Sequence, residues 1–117
     1  MGSAKDGTGH WWAQRVSAVA LVPLALWFLV SLMSLNSLDY ASVRAWFAHP
    51  FDGFLAALSV AVLAYHSYLG TVVVVEDYVH SAAAKLAALL ALRFLHVLAG
   101  GAGIFAILHL TMGTMGS

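Results

Sequence analysis

The sequence predicts an all-α integral membrane protein with three transmembrane helices, and three observations carry that prediction. Of 117 residues, 62% are hydrophobic and 9% are charged, against about 25% charged in an ordinary soluble domain. Three apolar stretches are each long enough to cross a bilayer core, which takes about 20 residues of helix. There is no cysteine, so disulfides, thiolate metal sites and Cys-ligated iron–sulfur clusters are excluded as scaffolding. The formal net charge is zero, which gives no electrostatic basis for binding nucleic acid. The length suits one transmembrane domain over residues 1–117.

In chain order, the first ten residues form a short polar segment, glycine-rich and without the basic-then-apolar order of a secretory signal. The first apolar stretch is therefore expected to be retained as a membrane span. It runs from Val16 to Leu35 and contains Pro23, which a membrane helix tolerates when its neighbours satisfy the freed carbonyl. The second span runs from Phe54 to Val75. The third runs from Leu86 to Leu110, interrupted by Arg93, His96 and the small-residue run AGGAG at 99–103; such runs let two helices approach closely. Between spans one and two, the turn formers with Trp46 and Phe47 read as an interfacial loop or a short surface helix. EDYVHSAAAK separates spans two and three.

Orientation follows from the basic residues. Lys5, Arg15, Lys85 and Arg93 lie at one end of the three-span arrangement and Arg44 alone at the other. This places the N-terminus and the loop after span two in the cytoplasm and the C-terminus in the periplasm. Trp11 and Trp12 fit an aromatic belt at the cytoplasmic face, the face that also carries Glu76, Asp77 and Tyr78.

The chemistry concentrates in AYHSYLGTVVVVEDYVH, residues 64–80. On a helix, His66, Gly70, Val73 and Asp77 fall within about 60° of one another. Gly70 removes a side chain one turn from His66, which leaves room for a flat, bulky group such as a porphyrin. A neutral imidazole is the usual axial ligand of a b-type haem, and an ionisable residue inside a span is a functional candidate. A histidine hydrogen-bonded to a neighbouring helix is the plainer explanation. His96 has a depth in span three similar to that of His66 in span two, so a bis-histidine haem site within the chain is physically possible. Facing a partner helix, or pairing with Arg93 or a haem propionate, is the other explanation for His96. His10 and His49 read as loop histidines, and His109 as an interfacial one. At the end of span two, carboxylate, phenol and imidazole make a polar mouth suited to a quinone headgroup. A solvated helix end is the alternative, although acidic groups at a helix C-terminus oppose the helix dipole.

The spacing resembles the small hydrophobic membrane-anchor subunit of succinate dehydrogenase, respiratory complex II. That family carries a haem-ligand histidine, a glycine four residues on, and an Asp–Tyr pair eleven and twelve residues on; here these are His66, Gly70, Asp77 and Tyr78. HWWAQRVSA resembles the family's opening to its first helix, with Arg15, Ser17 and Ala18 in place. The resemblance spans roughly residues 10–110. It implies two cofactors, haem b and ubiquinone. His66 would be one axial ligand of the haem iron, the other coming from the larger cytochrome b subunit rather than from His96, with Gly70 packing against the haem. Tyr78 would hydrogen-bond a ubiquinone carbonyl, Asp77 would neighbour that site, and Arg15 would lie near the haem propionates or the quinone. An iron–sulfur subunit and a flavoprotein subunit would be the further partners, and all succinate chemistry would lie on them. The location implied is the inner membrane of an alpha-proteobacterial type of cell, or its mitochondrial counterpart, with membrane lipid around the spans. A b-type cytochrome anchor of another respiratory oxidoreductase, fumarate reductase-like or using both His66 and His96, is the nearest alternative. A small proton-conducting or transport protein is the more distant one.

Overall fold

Among the described residues the computed structural model has four helices: α1 (Gly2–Ser34), α2 (Tyr40–Ala48), α3 (Pro50–Tyr78) and α4 (Ala82–Met115). The structure describes the backbone over residues 2–115 and the side chains over 8–113. No strand occurs among the described residues. Three helices meet the length and composition of a membrane span, over Thr8–Ser34, Pro50–Tyr78 and Ala82–Gly113. The second and third extend beyond the expected apolar cores at both ends, and the first starts earlier but stops at Ser34, one residue short of Leu35. The segment before residue 10, expected to be merely polar, is helical from Gly2, although each of its glycines costs a helix about 1 kcal/mol relative to alanine. The connection between the second and third spans shrinks to residues 79–81.

Each boundary has a local cause. Pro50 occupies the first turn of α3, where its missing N–H is no loss and its fixed φ suits the helix. Asp39 caps α2 by accepting a 2.9 Å hydrogen bond from the Ser42 amide, which satisfies one of the free N–H groups of the first turn. Hydrogen bonds from the Ser42 hydroxyl and then its amide hold the Asp39 carboxyl below the usual carboxylate range. Pro23 lies inside α1 without ending it. The region between spans one and two is the surface helix α2, whose Trp46 stacks on Trp27 of α1 at 5.5 Å and packs on Phe47 at 4.7 Å.

The central element is α3. It packs against α1 on one side and α4 on the other, and α1 and α4 make no close backbone approach to each other among the described residues. The seams are built from small groups. Among the described residues Gly53, Ala56, Leu69, Gly100, Ser17 and Thr111 are the buried ones, while Val19, Val30, Met33, Val97, Leu98 and Phe105 are largely exposed. Lipid is as apolar as leucine, so close backbone approach and interhelical hydrogen bonds hold such a bundle together. Two glycines of AGGAG serve this purpose: a Cβ on Gly100 would lie 3.2 Å from Ala64, and one on Gly103 3.2 Å from Val60. At the far end Thr111 lies over Gly53, and its single hydroxyl proton is shared between the carbonyls of Phe47 and Ile107 at 2.7 and 3.0 Å. This fastens α4 to the end of α2.

The register of α1 against α3 sets the depth of every polar residue. His10 donates to the Leu69 carbonyl at 3.1 Å, Gln14 faces Gly70, and Ser17 meets His66 at 2.8 Å. Trp11, Trp12 and Arg15 therefore stand level with the stretch of α3 just past His66. From Pro50 to Gly70, α3 covers about 30 Å, the thickness of a bilayer's hydrocarbon core. The bundle is 53 Å long, longer than that layer is thick.

Candidate functional site

His66 lies at the α1–α3 seam and is half-buried. Its Nδ1 is 2.8 Å from Ser17 Oγ, and Ser17 Oγ donates to the Gln14 carbonyl at 3.0 Å. A carbonyl can only accept, and a serine hydroxyl has one proton to give. Both hydrogen bonds are made at once in the tautomer that carries the imidazole proton on Nδ1. This leaves a lone pair on Nε2, for which no partner occurs among the described residues. The hydrogen bond to a neighbouring helix that would explain a buried histidine plainly is thus present, yet it accounts for only one of the two nitrogens.

His96 is in a different situation. Its Nδ1 donates to the Leu92 carbonyl at 2.8 Å, and its Nε2 accepts from the Ser67 hydroxyl at 3.1 Å. Both nitrogens are engaged, and the ring packs edge-on against Tyr68 at 5.7 Å. Ser67 is rotated about 100° from His66 on α3. His66 turns to the α1 side and His96 belongs to the α4 side, so the two are not brought together as a pair. A groove of about 330 Å³ beside His96 is lined by Ala64, Tyr65, Tyr68, Arg93 and Val97, and lies on the opposite face of α3 from His66.

Gly70 is one turn from His66, but the space it leaves is bordered by α1. A Cβ there would meet Gln14 Nε2 at 3.6 Å, an ordinary contact. The room expected for a flat ring is on that side taken up by an amide, whose Oε1 is buried without a partner among the described residues. Arg15 is exposed, with its guanidinium 5.5 Å from the centre of the Trp11 ring. Its depth is within about one turn of His66 and about 15 Å short of Tyr78 along the axis. Arg15 is thus near the imidazole in depth and far from the carboxylates, although all lie toward the same end of the bundle.

Glu76, Asp77 and Tyr78 form the last turn of α3 and are all exposed, Tyr78 to 77%. Asp77 falls within about 20° of His66 around the helix, while Tyr78 is about 120° away and about 18 Å along the axis. The polar mouth is therefore open on this chain and has walls only on its α3 side. His10, expected in a loop, is helical and tied to α3. His49 is at the junction of α2 and α3, and His109 stacks on Phe105 at 6.1 Å. Among the described residues no cluster of three or more His, Cys, Asp or Glu side chains could hold a metal ion.

Ser17 was visible in the sequence only as part of the opening to the first helix. A buried hydroxyl on an otherwise aliphatic helix is a signal, but its partner depends on the α1–α3 register.

Residues 1–100 match the family described as the succinate dehydrogenase/fumarate reductase transmembrane subunit. The chain belongs to that family. The subunit is similar to the succinate dehydrogenase hydrophobic membrane anchor subunit of Paracoccus denitrificans, with 35% identity over 80% of this chain and 73% of the relative. It is similar to the protein of the same description from Rickettsia bellii, with 30% identity over 92% of this chain and 86% of the relative. The corresponding Rickettsia typhi protein is 37% identical over 67% of this chain and 62% of its own length. No solved structure matches the subunit. With three membrane-crossing helices and this membership, the subunit is a multi-pass inner-membrane protein that associates with the other subunits of complex II.

Proposed function

We propose that the subunit anchors a succinate:ubiquinone oxidoreductase in the membrane, provides one axial ligand to a haem b, and forms one wall of the ubiquinone site. The observation that carries this is the His66 imidazole: Nδ1 is tied to Ser17 and Nε2 is left with its lone pair. That donor suits a haem b iron, which needs a neutral imidazole nitrogen, and a haem bound there supplies a one-electron carrier between the peripheral subunits and the membrane. The second ligand comes from the cytochrome b subunit, because both nitrogens of His96 are engaged. Gly70, with Gln14 beside it, would pack against the haem. Arg15, at the depth of His66, is suited to neutralise the propionates.

Tyr78 and Asp77 serve the quinone. A quinone carbonyl brought into an apolar slot needs a donor. A phenol donates while remaining neutral at physiological pH, so it brings no charge into the interface. Asp77, exposed at the end of α3, is a carboxylate between water and the mouth, suited to pass on protons where a quinone taking up two electrons also takes up two protons. Because the mouth is open on this chain, its remaining walls come from the cytochrome b and iron–sulfur subunits. The start of α1 and the end of α3 form the platform on which the iron–sulfur subunit docks, and it receives electrons from the flavoprotein. The N-terminus and residues 79–81 lie on the cytoplasmic side.

The test is purification of the chain in mild detergent with a haem assay. The expected result is co-purification with a cytochrome b subunit, an iron–sulfur protein and a flavoprotein, with haem b present in that complex. The isolated chain should hold none. Haem bound stoichiometrically to the isolated chain would replace this proposal with a self-contained cytochrome.

A further inference from the structure

The hydroxyl of Ser17 stands out in α1. The residue is 6% exposed, while its neighbours Val16, Val19 and Val22 are largely exposed. A serine inside a helix commonly returns its proton to a carbonyl of the preceding turn, and Ser17 does so to Gln14. That bond alone would make it inert. Here it has a second consequence, because the Ser17 proton is committed to Gln14 and its oxygen turns a lone pair toward α3, where His66 Nδ1 stands 2.8 Å away. The sequence Nδ1–H to Oγ–H to carbonyl oxygen has one direction. Reversing it would give up the bond to Gln14 and place the imidazole proton on Nε2, the nitrogen a metal would need.

We propose that Ser17 is the positioning residue of His66: it holds the Nδ1–H tautomer, fixes the plane of the ring, and raises the basicity of Nε2 toward a bound haem iron. This rests on the reading of His66 as an axial ligand. Metal-ligating histidines generally donate their second ring nitrogen to such a partner, and loss of the partner weakens binding about 10- to 100-fold. A more basic imidazole favours the ferric over the ferrous state, so the Ser17 bond lowers the reduction potential. Losing it raises the potential, by about 59 mV for each tenfold change in the preference between the two states.

The test uses the assembled complex in native membranes with Ser17→Thr, Ser17→Val and His66→Ala. Threonine and valine have nearly the same shape, so any strain from the added bulk is common to both, and only threonine keeps a hydroxyl able to bond the preceding turn. The readouts are haem retention during detergent washing, the potentiometric midpoint, and the low-spin EPR g values. Ser17→Val should release haem faster, shift the midpoint upward and move the g values, with Ser17→Thr close to wild type on all three. Equal behaviour of the valine and threonine variants, with His66→Ala devoid of haem, would overturn the role of Ser17 and leave the ligand in place. Haem retained in His66→Ala would overturn the ligand reading, and the role of Ser17 with it.

Discussion

Replacing Tyr78 with phenylalanine removes one hydroxyl and keeps the ring. In the subunit itself this should cost almost nothing, because Tyr78 is 77% exposed and its hydroxyl has no hydrogen-bond partner among the described residues. Surface substitutions of this kind stay within about 0.5 kcal/mol. The loss should appear where the hydroxyl is used. A quinone carbonyl left without its donor in a desolvated slot costs about 1–3 kcal/mol, and about 1.4 kcal/mol is tenfold. Quinone reductase activity should therefore fall by roughly one order of magnitude, within a span of about 5- to 150-fold. Succinate oxidation by a soluble acceptor that takes electrons upstream of the membrane should stay at wild-type level, since the proposed function places succinate chemistry on the other subunits. Haem content should also persist, because Tyr78 is about 18 Å along α3 from His66. The assay is the ratio of the two activities in membranes of matched complex content. A Tyr78→Phe complex with full quinone activity would refute the donor role, and equal loss of both activities would show that the substitution acts on assembly.

Two further outcomes test the bundle. Gly53→Ala drives a methyl group into the Thr111 side chain and displaces the hydroxyl bonded to Phe47; overpacking and the lost bond each cost about 1–3 kcal/mol. The detergent-solubilised complex should show a lower unfolding temperature, partly recovered in Gly53→Ala/Thr111→Ala, and a wild-type temperature for Gly53→Ala would show that the α2–α4 fastening does not operate. The native chain has no cysteine, so Ser81→Cys and Ser37→Cys can be labelled without background. Ser81→Cys should react from the cytoplasmic side and Ser37→Cys from the periplasmic side, and reaction of both from one side would sink the three-span topology.

The spans were legible because a stretch of about 20 apolar residues has few alternatives. Their ends were not, because helix continues through residues whose composition argues otherwise. Glu76 to Tyr78 remain helical against the dipole, and nothing in the local sequence accounts for helix through the glycines at the start of α1. The 100° geometry correctly set His66, Gly70 and Asp77 along one side of α3. It could not say which helix would face them, so Gln14 of α1 as the neighbour of Gly70 was not legible. The same limit hid the Ser17–His66 and Ser67–His96 bonds, since each joins residues whose meeting depends on the register of two helices. His96 read as an equal of His66 from depth alone, and the hydrogen bonds at both of its nitrogens separate them.

That separation leads to the most direct measurement of the central claim. Reduced-minus-oxidised and pyridine haemochrome spectra would be recorded on the assembled complex carrying His66→Ala or His96→Ala, with subunit content checked in both. Haem b should be absent or strongly perturbed in His66→Ala and retained in His96→Ala, whose imidazole has both nitrogens bonded within the chain. Haem lost from His96→Ala and intact in His66→Ala would contradict the account.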